Sequence, residues 1–253
     1  STEEAGREVR REFFEKTMKK YGGTKIALAH HQNDSAETFF INLARGTGIR
    51  GLGGIAPVNG NVIRPLLCLK REEIEDYLKQ EGISYCTDDT NHSDEYTRNR
   101  IRNHTIPYLQ EQVNPKVVEH MNDTMEQIRQ VQGFLDEQVQ VYWDKSVSAA
   151  AMGYLISEEA YLQVPEALKA LLIRRVLTAV SGKEKDLESV HVRQLQELFQ
   201  KQVGRKTDLP YQMEGRRVYE GILVFVKENH SKQILEEVVF DITFSYLNGT
   251  VQP

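Results

Sequence analysis

The stretch His30-His31-Gln32-Asn33-Asp34-Ser35-Ala36-Glu37-Thr38 decides the fold of this chain, together with the apolar segment Ile26-Ala27-Leu28-Ala29 that precedes it. The apolar segment is typical of a buried strand in a parallel sheet. Ligands of open α/β sheets bind just beyond the carboxyl ends of the strands. The sequence therefore predicts an α/β domain with paired imidazoles and paired carboxylates at its ligand site.

A helix is indicated after this strand by an apolar stripe at helical spacing, followed by Gly46 as a left-handed stop. The stripe consists of Ala36, Phe39, Phe40, Leu43 and Ala44. Asp34 lies on the opposite face and Glu37 at the flank of the stripe. Their spacing also suits an N-terminal capping box, so the carboxylates have two interpretations. They cap the helix, or they bind a cationic substrate or Mg²⁺.

The histidines and the glycine-rich turn also leave alternatives open. Neighbouring residues of a strand point in opposite directions, so we expect only one of His30 and His31 to face the cleft. The structural alternative is that both pack under the loop as hydrogen-bonded residues. Arg45 and Arg50 flank the turn Gly46–Gly51 and are available for phosphate contacts. This turn follows a helix, which excludes a dinucleotide-binding fingerprint.

The charge balance argues against a surface that binds nucleic acid without selectivity. The chain has 37 acidic and 32 Lys and Arg residues, a formal net charge of −5. Contacts with RNA must then come from local patches. One candidate is Arg98–Arg102, in which we expect Arg100 to be solvated while Arg98 and Arg102 share another helix face. A second patch consists of Lys201, Arg205 and Lys206.

The pattern of elements predicts three parts. Residues 1–112 alternate helices and strands, residues 113–204 are mostly helical, and residues 205–253 hold a β-hairpin and the start of a C-terminal region. In the first helix we expect Val9 and Phe13 to face inward, and we expect a short strand at 83–86. Asn114-Pro115 is a helix start signal, and the apolar stripe of the long helix that follows also suits a homodimer contact.

At this point the chain resembles a known family. The string His30–Ile55 is similar to the signature of the tRNA(Ile)-lysidine synthetases, members of the PP-loop ATPase superfamily. Other segments resemble further motifs of that family, namely Arg7-Glu8-Val9-Arg10, Ile63–Leu67, Asp89-Thr90-Asn91, Tyr96–Arg102 and Pro107. The resemblance implies a PP-loop parallel-sheet domain followed by a helical region that holds the tRNA.

The resemblance also implies a carbon–nitrogen ligase. Its substrates are ATP, L-lysine and tRNA(Ile), with Mg²⁺ as cofactor. ATP adenylates C2–O of the wobble cytidine, and the lysine amine then displaces AMP. The catalytic residues expected from the resemblance and from residue chemistry are Asp34, Glu37, Arg10 and Arg102. The expected substrate-binding residues are His30, His31, Arg7, Arg45, Arg50, Arg64 and Arg98, and the Mg²⁺ ligands expected are Asp34 and Glu37.

One departure from the family is large. PP-loop enzymes bind pyrophosphate with a loop of the type S-G-G-x-D-S, and this chain has no such string. We therefore expect the chain as it stands to bind ATP poorly and to form no lysidine. Two alternatives stay open, a different PP-loop tRNA-modifying enzyme such as a thiolase, and a non-catalytic RNA-binding module. Cys68 and Cys86 form no CxxC pair, which argues against a thiolase and indicates free thiols in the cytoplasm. No segment is apolar enough to span a membrane.

Overall fold

The structure is a computed structural model that describes residues 2–86, 94, 96–184 and 186–227, without the side chains of residues 2–5 and 7. The Arg7 side chain, the segment Asp89-Thr90-Asn91 and the tail after residue 227 lie outside the described residues. The chain divides into two compact units, residues 1–133 and 134–253. The domain limits at 112 and 204 stay a prediction.

The first unit alternates helices with short strands, as predicted for an α/β domain. Its elements are α1 (Thr2–Lys20), β1 (Ile26–Ala27), α2 (Gln32–Ala44), α3 (Ile49–Leu52), β2 (Val58–Asn59), β3 (Val62–Ile63), a 3₁₀ turn (Pro65–Cys68), α4 (Arg71–Gln80), α5 (Thr97–Arg100), a π-helical turn (Ile101–Thr105), α6 (Ile106–Gln112) and the start of α7 (Val117–Ser146).

The sheet of the first unit has the order β1-β3-β2. β1 pairs with β3 in parallel, with Ile26 opposite Val62, and β2 is antiparallel to β3. The predicted parallel pairing is confirmed, but the predicted burial of this strand is wrong, because Ile26 is half-buried and Ala27 is exposed. The predicted strand at 83–86 is wrong, because these residues are irregular and exposed. Ile83 N–H donates to the Leu78 carbonyl at 2.9 Å, so it closes the end of α4 and does not join the sheet.

Helix α2 and its stop at Gly46 form as predicted, and Ala36 is buried against Ile106 and Val118. The predicted apolar stripe is wrong beyond Ala36 and the half-buried Phe39 and Phe40, because Leu43 and Ala44 are exposed. Asp34, predicted on the opposite face, is buried. Gly46 takes the left-handed conformation, with φ +73°. The inward orientation predicted for α1 is wrong for two residues, because Val9 is 69% exposed and Phe13 63%. Helical periodicity identifies the apolar side of a helix, but it does not supply the surface that covers that side.

The second unit packs helices against a five-stranded antiparallel sheet of order β4-β5-β8-β7-β6. Its elements after α7 are β4 (Val147–Ala150), β5 (Gly153–Ser157), α8 (Glu158–Leu162), α9 (Glu166–Ser181), α10 (Ser189–Leu198), β6 (Lys206–Leu209), β7 (Met213–Arg217) and β8 (Gly221–Val226). The predicted hairpin is confirmed as β7–β8. β4 and β5 are two strands that the sequence analysis missed. The small residues of β4 carry a weak strand signal, and β5 is a five-residue strand within a stretch that was predicted to be mostly helical.

The core of the second unit is a large apolar cluster. Leu172, Ile173 and Val176 of α9 are fully buried, as are Ile222 and Val224 of β8. Leu195 of α10 joins them. None of the helices in the described part of the chain is long and apolar enough to cross a membrane.

Candidate active site

The candidate site lies where two parallel strands end. His30 and His31 follow β1, and Arg64 follows β3 directly, so their backbones occupy the same edge of the sheet. Helix α2 begins at Gln32, and its first turns carry Asp34 and Glu37. These residues therefore lie where the sequence predicts them, at the carboxyl ends of parallel strands.

Arg102 binds both carboxylates of α2. Its Nε donates to Glu37 Oε1 at 2.6 Å, and its Nη2 donates to Glu37 Oε2 at 3.0 Å and to Asp34 Oδ1 at 3.2 Å. A guanidinium that bridges both oxygens of one carboxylate makes a strong and directional pair. Three of the residues expected to be catalytic are therefore in contact, although Arg102 and Glu37 are 65 residues apart in the sequence.

Arg98 approaches the same carboxylate from one turn earlier. Its Nη2 donates to Thr38 Oγ1 at 2.8 Å, and Thr38 Oγ1 donates to the Asp34 carbonyl at 2.9 Å. Arg98 Nε lies 3.4 Å from Glu37 Oε2, close enough for an ion pair without the alignment of a hydrogen bond. Arg100 is exposed, and its Nη2 donates to Thr97 Oγ1 in the same turn at 3.1 Å. The basic patch is divided as the sequence predicted.

Burial separates the two carboxylates. The side chain of Glu37 is 1% exposed and that of Asp34 is 13% exposed. Burial raises the pKa of Glu37, while the hydrogen bond from Arg102 and its charge act in the opposite direction. The same hydrogen bond raises the pKa of Arg102. Glu37 is thus the more deeply buried partner of the guanidinium, and Asp34 is the more accessible of the two carboxylates.

The two histidines are suited to be neutral at pH 7. Burial lowers the pKa of His30 and of His31, against the opposing charge of Asp34. His31 Nδ1 lies 3.5 Å from Asp34 Oδ2. A neutral imidazole can donate from one nitrogen and accept at the other, which suits it to hold a polar substrate group.

Several buried polar atoms at this edge have no hydrogen-bond partner within the described part of the chain. They are His30 Nδ1, His31 Nδ1, Gln32 Oε1, Arg64 Nε and Arg98 Nε. Buried polar groups are normally paired, and a group without a partner costs free energy. Their concentration around the Arg102–Glu37–Asp34 cluster indicates a surface made for a polar ligand.

Asp34 also caps helix α2, but the capping box pairs it with His31 and not with Glu37. Asp34 Oδ2 accepts from His31 N–H at 3.0 Å, which makes His31 the N-cap and Asp34 the third helical residue. Glu37 takes no part in the cap, because its two oxygens accept from Arg102. Capping and a role in the site are therefore combined in one carboxylate.

In this arrangement Asp34 and Glu37 do not fit a Mg²⁺ site. Both carboxylates already bind the Arg102 guanidinium, and a divalent cation would face that charge at close range. Among the described residues, no group of three or more His, Cys, Asp or Glu side chains is arranged to hold a metal ion. In this structure the carboxylates are matched to the Arg102 guanidinium.

Other predicted residues lie outside the cluster. Arg10 is exposed on α1, and Arg45 and Arg50 are exposed beyond the end of α2. Arg64 stays at the strand edge, and its Nη1 donates to the Ala56 carbonyl at 2.6 Å. Sequence reasoning missed Thr38, which fixes Arg98. Its position four residues after Asp34, on the same helix face, was the signal available.

Comparisons with known proteins agree with this geometry. Residues 1–109 match the PP-loop domain family. The chain is 38% identical over 239 residues to a tRNA(Ile)-lysidine synthase of Caldanaerobacter subterraneus subsp. tengcongensis, covering 94% of this chain and 51% of that protein. It is 39% identical over 210 residues to the tRNA(Ile)-lysidine synthase of Clostridium perfringens, covering 83% of this chain and 45% of that protein.

The similarity also holds for a third relative. The tRNA(Ile)-lysidine synthase of Clostridium tetani is 32% identical over 256 residues, covering all of this chain and 55% of that protein. The chain spans about half the length of these curated relatives. The matches show that residues 1–109 are similar to the PP-loop domain family and that the chain is similar over nearly its whole length to tRNA(Ile)-lysidine synthases.

Proposed function

We propose that this chain is part of a tRNA(Ile)-lysidine synthase, a cytoplasmic carbon–nitrogen ligase that joins L-lysine to the wobble cytidine of tRNA(Ile) with ATP. The observation that carries the proposal is the Arg102–Glu37–Asp34 cluster, surrounded by unpaired buried polar atoms at the carboxyl end of β1. A site of this kind suits a substrate that has ammonium, carboxylate and phosphate groups.

In the first step, the C2 oxygen of the cytidine attacks the α-phosphorus of ATP and pyrophosphate leaves. Negative charge on the phosphoryl oxygens is best stabilised by cations that are already in place. Arg102 is held in one orientation by the buried Glu37, so it supplies such a charge without reorganisation. We assign Arg10, from α1, to the same role.

In the second step, the lysine amine attacks C2 and AMP leaves with the electrons of the C2–O bond. The amine must first lose a proton, and a nearby carboxylate can accept it. Asp34 is the better candidate, because its side chain is more accessible than that of Glu37. We propose that Asp34 binds the ammonium and takes its proton, while Glu37 keeps Arg102 in position.

The remaining predicted residues bind the substrates in this proposal. His30 and His31 contact polar groups at the strand edge, together with Arg64 and Arg98. Arg7, Arg45 and Arg50 contact phosphates of the tRNA, whose cytidine is unstacked from the anticodon loop. Exposed apolar residues of α7, Val131 and Phe134, suit a homodimer contact.

The test is lysine transfer by the full-length protein and its Asp34→Asn variant, measured with labelled lysine and a tRNA(Ile) transcript. We expect Asp34→Asn to lower turnover by about 100-fold or more, as for loss of a general base. Glu37→Gln should also abolish lysidine formation while the fold persists. The matched control is Glu73→Gln, because Glu73 Oε2 accepts from Lys70 N–H at 2.7 Å and so caps α4 as Asp34 caps α2.

A role in capping alone would give a different result. Loss of a cap costs about 0.5–2 kcal/mol of stability and leaves turnover near normal. Turnover of Asp34→Asn equal to that of Glu73→Gln would refute the catalytic assignment. Mass spectrometry of the treated tRNA decides the class of reaction, since sulfur in place of lysine would identify a thiolase.

A further inference from the structure

The segment of residues 45–55, which includes the short helix α3 and which we term the glycine loop, has an exposed tip and a buried root. Arg45, Ile49 and Arg50 are exposed at the tip, and Ile49 is 51% exposed. Gly53 is buried at the root. The tip is positively charged and its root is held in place. Such a tip can bind a phosphodiester backbone without the entropic cost of first ordering the loop.

Helix α2 holds one side of the root. Asn42 Nδ2 donates to the Gly51 carbonyl at 2.7 Å, and Ile55 N–H donates to Ser35 Oγ at 3.3 Å. Both side chains project from the same helix that carries Asp34 and Glu37. The glycine loop is therefore tied to the element that builds the candidate active site.

Helix α7 holds the other side through Arg129. Its Nη1 donates to the Gly53 carbonyl at 2.5 Å. The guanidinium is fixed from behind by Glu126, whose Oε2 accepts from Arg129 Nε at 3.1 Å and from Nη2 at 2.7 Å. The side chain of Arg129 is only 25% exposed, so this contact is partly shielded from water.

The root also packs closely against α7. Gly54 has φ +67°, and a Cβ there would lie 2.1 Å from Met125 Sδ and 2.9 Å from Ser35 Oγ. Met125 is fully buried, and its sulfur accepts from Ser35 Oγ at 3.4 Å. The fit leaves room only for glycine, so the loop has one seated conformation between the two helices.

We infer that Arg129 is a positioning residue that seats the glycine loop on α7 and so presents the Arg45–Arg50 tip to the RNA substrate in one orientation. The RNA part of this inference rests on the proposed function. Without Arg129 the Gly53 carbonyl loses its charged donor at a buried position, and hydrogen bonds to charged groups are among the stronger ones. The packing of Gly54 would then hold the root alone.

The first test is limited trypsin digestion of the chain, with mass spectrometry of cleavage after Arg45 and Arg50. Proteolysis follows the population of the locally open form. We expect Arg129→Ala to speed cleavage at both bonds about tenfold, the loss of one charged hydrogen bond. Arg129→Lys keeps a cationic donor and should restore part of the protection. Arg193→Ala, at an exposed arginine of α10, is the control and should cleave like the wild type.

Unchanged cleavage in Arg129→Ala would overturn the inference. If that variant does not fold, Glu126→Gln takes its place, because it weakens the support of the guanidinium and leaves the Gly53 contact possible. We expect a smaller acceleration of cleavage there, about threefold. Cleavage of Glu126→Gln at the wild-type rate would contradict the inference equally.

The second test separates positioning from general damage in the full-length protein. Arg129→Ala should raise the KM for tRNA about tenfold and leave kcat within about twofold, as expected for lost substrate binding. A merely structural role would lower kcat through inactive molecules and leave KM unchanged, and that result would overturn the RNA part. If the wild type transfers no lysine, the proposed function fails, while the trypsin result still decides whether Arg129 seats the loop.

Discussion

The two units of this chain are stabilised in different ways. The second unit encloses a wide apolar cluster between a five-stranded sheet and its helices. In the described part of the first unit, the apolar cluster is limited to Ala36, Ile106 and Val118 with a few partly buried neighbours. Its best-buried charged residue is Glu37, which is paired with Arg102.

This difference shows which kind of buried group contributes to the stability of each unit. Burial of apolar surface stabilises a fold without regard to direction, whereas buried charges cost desolvation and contribute only when they are paired. The second unit gains stability from its core. The first unit places charged groups at the end of a strand, where they serve a ligand and where loss of one partner is expensive.

The largest effect expected from this comparison is that of Arg102→Met. The variant leaves Glu37 buried without its cation, which costs about 3–5 kcal/mol when a buried pair is broken. The stability of the first unit is measured by hydrogen exchange of the α2 backbone amides at increasing urea concentrations. The single tryptophan, Trp143, packs against the core of the second unit, so its fluorescence should change little.

The double variant Arg102→Met with Glu37→Gln is the control. Removal of both charges should recover much of the stability, because no buried charge is left alone. Equal instability in the single and double variants would mean that the cluster contributes packing and not charge pairing.

The next effect is that of Leu172→Ala in the core of the second unit. Leu172 is fully buried, and truncation of a buried leucine costs about 2–5 kcal/mol. Here the Trp143 fluorescence transition should move to lower urea, while exchange of the α2 amides stays near wild type. Val190→Ala on α10, a residue 47% exposed, is the matched truncation and should cost little. A shift of both probes by Leu172→Ala would show that the units unfold together.

A smaller effect separates the arginines of the basic patch. Arg98→Ala removes contacts with Thr38 and Glu37, so lysine transfer by the full-length protein should fall about tenfold, the value of one charged hydrogen bond. Arg100→Ala is the control, because the hydrogen bond of Arg100 with Thr97 is local and exposed. Equal and small losses in both variants would reduce the patch to a solvated basic face.

The smallest effect is a pH dependence carried by the histidines. Burial lowers the pKa of His30 and His31 in the folded state, so the unfolded chain binds more protons below its ordinary histidine pKa of about 6.5. The free energy of unfolding should therefore rise between pH 5.5 and about pH 6.5 and then level off. The stabilisation is present above the unfolded pKa and is lost as the pH falls.

The slope of stability against pH is measured from the urea midpoints of α2 amide exchange at pH 5.5, 6.5 and 7.5. The His30→Gln, His31→Gln double variant should have a flatter slope, and His120→Gln, at an exposed position of α7, should keep that of the wild type. Parallel slopes in the wild type and the double variant would contradict the assignment.

Local structure was well predicted from the sequence where the signal was local. The position of α2 and its Gly46 stop agree with the structure, as does the Asn114-Pro115 signal before α7. The buried side of α2 was predicted only in part, since Leu43 and Ala44 are exposed. The predicted strand at 83–86 failed because its backbone groups close a helix. β4 and β5 were missed because they are short strands within a stretch that was predicted to be mostly helical.

Only the residues of the candidate site that lie between positions 30 and 37 were predictable from the sequence. His30, His31, Asp34 and Glu37 are close in the sequence, and the end of a strand is a recognisable place. The contacts of Arg98 and Arg102 with Glu37 were not predicted, since an arginine on a helix does not reveal its partner. Thr38 offered only its position four residues after Asp34, and Arg129 gave no sign of its contact, because hydroxyl and guanidinium donors find acceptors only after helices have packed.

The sequence by itself determined the elements of the first unit, the character of its strand-end residues and the resemblance to a family. These depend on backbone preferences and side-chain periodicity within a few residues. Only the tertiary structure decided which carboxylate is buried, which arginines hold it, and how α7 seats the glycine loop. Such contacts join residues up to 90 positions apart, and their energies arise from burial and alignment that exist only in the folded chain.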